Sequence, residues 1–191
     1  MIVVDTNVIS ELMKATPSVA VKDWVLARSD RQLFTTSITL AEILYGIERL
    51  PRGRRQDLLR SAAEDVFTAF EDQVLSFDRR AAVHYSWIVD TRERRGLPID
   101  GFDAQIASIC RTHDAGLATR NVKDFVHAGI DLVDPWRARS LLGCLTGTAS
   151  VASNRDRERP QARSLAEYFH DRLRGPLSAS SPCRSREYEQ F

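Results

Sequence analysis

The first two-thirds of the chain alternates short apolar runs with longer segments in which apolar residues recur at helical spacing. The runs are rich in β-branched residues and only a few residues long, which is typical of buried strands. This alternation predicts an α/β domain, a three-layer α/β/α fold with a short, mainly parallel sheet. The predicted strands cover residues 2–4, 33–36, 74–77, 116–119 and 130–133.

Three of the predicted helices carry residues that matter below. The first follows strand 2–4 directly, and Thr6 or Asn7 is predicted to cap it. The helix after the second strand begins at Ser37 and carries Glu42 in its first turns, while a later helix opens at Asp103. The carboxyl ends of parallel strands meet at one edge of a sheet, so this edge is the predicted site.

The composition of the chain changes after Pro135 and Trp136. Residues 139–191 contain nine arginines, eight serines and no lysine. We therefore predict a folded domain over residues 1–138 and a Ser/Arg-rich extension over 139–191, which we expect to be largely disordered.

Composition and charge exclude several classes of protein. Hydrophobic residues make up 43% and charged residues 28% of the 191-residue chain, as in ordinary globular domains. The net charge is +1, so binding of nucleic acid has to rely on local arginines. The three cysteines form no metal-binding spacing, and no signal peptide or apolar run of membrane length is evident. These features predict a soluble protein of the cytoplasm.

Three acidic residues stand at element ends where the apolar pattern does not require them: Asp5, Glu42 and Asp103. Each alone has an ordinary explanation, as a helix cap, a surface glutamate or a first-turn acid. Together they are predicted to point into one crevice, where they would repel one another. A hard divalent cation relieves such repulsion, and Mg²⁺ or Mn²⁺ accepts carboxylate and water oxygens.

Several short motifs occur in a fixed order over residues 1–138. They are Val4-Asp5-Thr6-Asn7-Val8, Thr36-Ser37, Ala41-Glu42-Ile43 with Tyr45-Gly46, Asp103-Ala104-Gln105-Ile106-Ala107, and Leu117-Ala118-Thr119-Arg120-Asn121-Val122-Lys123-Asp124-Phe125. As a set they resemble the PIN-domain toxins of the VapC type, and within that group the FitB-like branch. The resemblance implies a PIN-domain-like fold and a magnesium-dependent endoribonuclease that cleaves single-stranded or structured RNA. It also implies the toxin half of a toxin–antitoxin pair, with a VapB-like antitoxin and a homodimeric state.

The resemblance also implies roles for individual residues. Asp5 and Asp103 would be direct Mg²⁺ ligands, and Glu42 a ligand or a carboxylate that orients water. The fourth acidic position of the family falls on either Asn121, by position, or Asp124, by charge. Hydrolysis by metal-activated water then predicts 5′-phosphate and 3′-hydroxyl ends.

Arginines close to these motifs are the candidate RNA contacts. Arg120 is the best candidate, because it adjoins the fourth acidic position. The run Arg92, Arg94 and Arg95 is instead interpreted as a solvated helix face.

Two alternatives stand beside the nuclease. A haloacid-dehalogenase-like phosphatase also places an aspartate after its first strand, but it needs a second aspartate where this chain has Asn7. A catalytically silent PIN-like module that binds RNA or protein is the stronger alternative, because Asn121 departs from the acidic pattern.

Overall fold

Five short strands form one sheet in the computed structural model, which describes residues 1–138. They are β1 (Ile2–Val4), β2 (Leu33–Thr36), β3 (Val74–Leu75), β4 (Gly116–Ala118) and β5 (Leu132–Val133). The strand order is β3-β2-β1-β4-β5, and every pairing is parallel. The predicted α/β class with a mainly parallel sheet is therefore confirmed.

Seven α-helices connect the strands in the described part of the chain. They are α1 (Thr6–Leu12), α2 (Val19–Leu26), α3 (Ser37–Glu48), α4 (Arg54–Ala69), α5 (Arg79–Glu93), α6 (Gly101–Thr112) and α7 (Val122–Phe125). Two 3-10 turns, Asp30–Gln32 and Glu71–Gln73, precede β2 and β3. None of the helices in residues 1–138 is long and apolar enough to cross a lipid bilayer.

The helices cover both faces of the sheet, and β1 contributes to both cores. Successive side chains of a strand point to opposite faces. Val4 accordingly packs with residues of α1 to α4, including Val8 and Val66. Val3 packs on the other face with residues of α5 to α7, including Ile88 and Phe125. The result is the predicted three-layer α/β/α arrangement.

For two helices the structure decides between the capping alternatives that the sequence left open. Asp5, rather than Thr6 or Asn7, caps α1, because its carboxylate accepts hydrogen bonds from the backbone N–H groups of Asn7 and Val8. Helix α6 begins at Gly101 and is capped by Asp100. Asp103 therefore lies in its first turn and does not open it.

Element boundaries also differ by a few residues. Strand β3 ends at Leu75, β4 at Ala118, and β5 begins at Leu132, so the strands are shorter than the apolar runs. Short helix α7 was not predicted, because its four residues are too few for a helical period to show. The predicted extension, residues 139–191, lies outside the described residues.

Candidate active site

Asp5 lies at the carboxyl end of the central strand β1 and is only 3% exposed. Its Oδ1 atom accepts the N–H groups of Asn7 at 2.9 Å and Val8 at 3.1 Å. The Asn7 side-chain amide donates to Oδ2 at 3.1 Å, and the Thr119 hydroxyl also donates to the carboxylate. Burial raises the pKa of Asp5 above its ordinary range, although these hydrogen bonds lower it in part.

Glu42 lies on α3, half-buried, with a specific hydrogen-bond donor. The hydroxyl of Thr6, at the start of α1, donates to Glu42 Oε2 over 2.6 Å. Burial raises the pKa of Glu42, and the charges of Asp5 and Asp100 raise it further, against the opposing effect of the Thr6 hydrogen bond. Thr6 thus fixes the orientation of a carboxylate whose neighbours are also acidic.

Asp103, in the first turn of α6, is influenced by the charges of several other acidic residues. Burial raises its pKa to about 7, with further contributions from the charges of Glu42, Asp100, Asp124 and Asp5. These acids come from four separate segments of the chain. The parallel topology has therefore brought together the acids that the sequence placed at element ends.

Asn121 and Asp124 occupy different environments next to this cluster. Asn121 is exposed and precedes α7, and its backbone N–H donates to the Thr119 hydroxyl at 2.9 Å. Asp124 lies within α7, and its negative charge helps to raise the pKa of Asp103. The electrostatic evidence favours Asp124 as a member of the carboxylate cluster, while the role of each residue remains a prediction.

The carboxylate cluster has no cationic partner in the described part of the chain. None of the ion pairs identified in residues 1–138 involves Asp5, Glu42, Asp103 or Asp124. Over the same residues, no three or more Asp, Glu, His or Cys side chains stand close enough together, as they are placed here, to hold a metal ion. Carboxylates that no cation neutralises suit a hard divalent metal ion, which accepts oxygen ligands and can take one or two of them from carboxylates and the rest from water.

Three residues of this site were not predicted as functional: Thr6, Asp100 and Thr119. The Thr119 hydroxyl joins the Asp5 carboxylate to the backbone of Asn121, and Asp100 adds negative charge near Glu42 and Asp103. Thr6 and Thr119 lie one or two positions after strands at the site edge, and that position is the signal that could have identified them.

Arg120 lies at the rim of the site. It is exposed, and its guanidinium carbon is 5.5 Å from the centre of the Trp136 ring. The positive charge of Arg120 helps to lower the pKa of Glu11 in α1, but Arg120 is not among the groups that shift the pKa of Asp103. An RNA contact by Arg120 therefore remains a prediction.

Comparison with known proteins places these features in a family. The PIN domain model matches residues 2–130. The chain belongs to the PIN-domain family. It is 37% identical to the VapC ribonuclease Y4jK of Sinorhizobium fredii, over 71% of this chain and 98% of that protein. It is 30% identical to the toxin FitB of Neisseria gonorrhoeae, over 71% of this chain and 99% of that protein.

A known crystal structure has a fold similar to that of this chain. The crystal structure of FitAcB from Neisseria gonorrhoeae matches with a TM-score of 0.67 and 29% identity, covering 72% of this chain and 100% of the matched chain. The resemblance to VapC-type PIN-domain proteins, and to the FitB-like branch among them, is confirmed.

The crowding of the acids predicts that Asp103 destabilises the metal-free protein. The folded-state pKa of Asp103 is raised from its ordinary value of 3.8 to about 7, so stability is lost as the pH rises through this interval. We expect metal-free Asp103→Asn to melt ~2–4 °C above the unsubstituted protein at about pH 8, the shift that ~1 kcal/mol gives a domain of this size. The difference should shrink as the pH falls toward about 4.

The measurement is thermal unfolding in the presence of a chelator, across this pH range. Asp72→Asn is the matched control, because Asp72 is exposed and lies outside the carboxylate cluster. Added Mg²⁺ should stabilise the unsubstituted protein more than Asp103→Asn. A lower melting temperature for metal-free Asp103→Asn at the alkaline end would contradict this account.

Proposed function

We propose that this protein is the toxin component of a type II toxin–antitoxin system, a Mg²⁺-dependent endoribonuclease that hydrolyses phosphodiester bonds of single-stranded RNA. The observation that carries the proposal is the convergence of Asp5, Glu42, Asp103 and Asp124 without a cationic partner in residues 1–138. It occurs in a member of the PIN-domain family whose relatives are named VapC ribonuclease and toxin FitB.

Each carboxylate has a role in this proposal. Asp5 and Asp103 hold the cation, with Mn²⁺ as an alternative to Mg²⁺ because both accept the same oxygen ligands. When bound, the cation polarises the phosphodiester and neutralises charge that develops during hydrolysis. Glu42, oriented by the Thr6 hydroxyl, holds water next to the phosphate or completes the ligand set.

The fourth position and the RNA contact complete the proposed site. Asp124 adds negative charge beside Asp103, while the side-chain oxygen of Asn121 is the neutral alternative for the same role. Arg120, exposed at the rim, meets the phosphates of single-stranded RNA. We place the nuclease unit in residues 1–138 and its activity in the cytoplasm.

A catalytically silent PIN-like module is the second candidate. The neutral residue at Asn121 favours it, because a weakened fourth ligand would lower the affinity for metal. The raised pKa of Asp103 argues against it, because a module without metal chemistry has no need of carboxylates that repel one another.

Exposed apolar side chains beside the site support the proposed homodimer. Tyr45 is 60% exposed on α3, and Phe102 is 47% exposed on α6. These helices also carry Glu42 and Asp103. Burial of both side chains against a second copy would remove apolar area from water next to the catalytic carboxylates.

Asp5→Asn separates the nuclease from the silent module. Asparagine caps helices as well as aspartate does, so the fold should persist while the negative charge is lost. We expect induction of the unsubstituted protein to stop bacterial growth and cleave cellular RNA, and Asp5→Asn to do neither at equal soluble yield. Asp72→Asn should remain toxic. Growth arrest by Asp5→Asn would contradict the metal-nuclease proposal.

A groove next to Glu42 is our candidate for the antitoxin contact. A cavity of about 350 Å³ lies between α1, α3 and α4, and Thr6 and Glu42 reach its edge. Most of its lining is apolar, from Met13, Ile43, Ile47, Leu50 and Leu59. The similar solved structures include a toxin–antitoxin complex from Klebsiella pneumoniae. We therefore propose that an apolar segment of the VapB-like antitoxin occupies this groove.

Gly46 offers a direct test of the groove. It lines the cavity and is exposed, and a Cβ atom added there would meet no atom within 4 Å, so a side chain can begin at this position without a clash against α3. We expect Gly46→Trp to remain toxic but to escape neutralisation by its antitoxin, which we expect a small reading frame next to its gene to encode, whereas Gly46→Ala should still be neutralised. Growth rate during co-expression measures both. Equal rescue of Gly46→Trp and the unsubstituted protein would rule the groove out.

A further inference from the structure

Arg92 is a buried arginine whose guanidinium contacts backbone carbonyls. It lies in the last turn of α5 and is only 3% exposed, so the interpretation of this residue as part of a solvated helix face was wrong. Its Nε atom donates to the carbonyl of Leu97 at 3.0 Å, and a terminal nitrogen donates to the carbonyl of Val126. None of the ion pairs in residues 1–138 involves Arg92.

Such burial requires an explanation, because arginine is rarely buried without a carboxylate partner. Here the compensation comes from carbonyl groups in two segments that are far apart in sequence. The backbone carbonyl of Arg92 also accepts the N–H of Leu97 at 3.0 Å. Arg92 therefore joins three pieces of chain: the end of α5, the loop before α6 and the residue after α7.

The two segments that the Arg92 side chain contacts, the loop before α6 and the residue after α7, each adjoin an element that carries an acid of the site. The loop that contains Leu97 runs into Asp100 and the first turn of α6, where Asp103 lies. Val126 follows the last residue of α7, the helix that carries Asp124. Helices α6 and α7 pack against each other, so these two acids lie on adjacent elements.

We propose that Arg92 is a positioning residue, whose buried guanidinium ties the loop before α6 to the end of α7 and so holds Asp103 and Asp124 at the spacing that binds the divalent cation. This inference rests on the proposed function. Arg92 contacts neither carboxylate in the hydrogen bonds described and acts through the backbone. A lysine in its place has a single terminal nitrogen and lacks the planar fork that reaches two carbonyls at once.

The test is direct Mn²⁺ binding to the full-length, metal-free chain, measured by titration calorimetry. For Arg92→Lys we expect the Kd for Mn²⁺ to rise roughly tenfold or more, the usual range when a group that holds metal ligands in place is lost. RNA cleavage at saturating Mn²⁺ should recover to within about threefold of the unsubstituted protein, since no ligand has been removed.

Two controls separate positioning from stability. Arg94→Lys changes an exposed arginine that directly follows the same helix and should leave the Kd unchanged. Ile88→Val shortens a fully buried side chain of α5 and lowers stability, but it removes neither of the hydrogen bonds that the Arg92 side chain makes. This variant should therefore also bind Mn²⁺ normally. An equal loss of affinity in Ile88→Val would overturn the proposal.

The remaining outcomes separate failure of this inference from failure of the proposed function. Absence of Mn²⁺ binding by the unsubstituted protein would refute the metal nuclease itself. Normal binding by both the unsubstituted protein and Arg92→Lys would refute only the role of Arg92. If Arg92→Lys does not fold, Arg92→Gln takes its place, and failure of both to fold would contradict a positioning role in favour of a purely structural one.

Discussion

Mutual repulsion among carboxylates that the fold brings into one crevice is the constraint on which this structure depends. Parallel strands end at a common edge, so the acid after β1, the acid on the helix after β2 and the acids around β4 meet there. Bringing negative charges together in a partly buried place is unfavourable without a cation. The rest of the domain must therefore be stable enough to hold them.

The surrounding hydrogen bonds show how the fold holds each charge in place. Two backbone N–H groups and the hydroxyl of Thr119 hold Asp5, while the hydroxyl of Thr6 holds Glu42. These donors orient the oxygens but do not neutralise them. A divalent cation can therefore bind to carboxylates that are already oriented, and the repulsion of the metal-free state becomes affinity for metal.

The sequence predicts the members of this site better than the contacts that hold them. Asp5, Glu42 and Asp103 stand out because each acid interrupts an apolar pattern near an element end. Asp100 does not, because an acid in a loop before a helix has an ordinary explanation as a cap. Arg92 was misjudged because a run of arginines at the end of a helix is typical of a solvated surface, and its burial depends in part on Val126, which is distant in sequence.

The fold was predicted in class but less well in its boundaries. The β-branched runs identify all five strands, yet they extend beyond the hydrogen-bonded ladders, as at Ile130 before β5. Apolar residues continue past the ends of strands because the core they fill is larger than the sheet. The cap of α1 was left open among Asp5, Thr6 and Asn7, since sequence alone does not show which of three adjacent polar residues accepts the backbone N–H groups.

The most direct test of the central claim is to map the ends that the purified chain leaves on a single-stranded RNA. A carboxylate-held Mg²⁺ site predicts products with 5′-phosphate and 3′-hydroxyl ends, no cleavage in excess chelator, recovery on addition of Mg²⁺ or Mn²⁺, and no cleavage by Asp103→Asn. Chelator-resistant cleavage that leaves 2′,3′-cyclic phosphate ends would contradict it, because such ends come from attack by the RNA's own hydroxyl and need no metal.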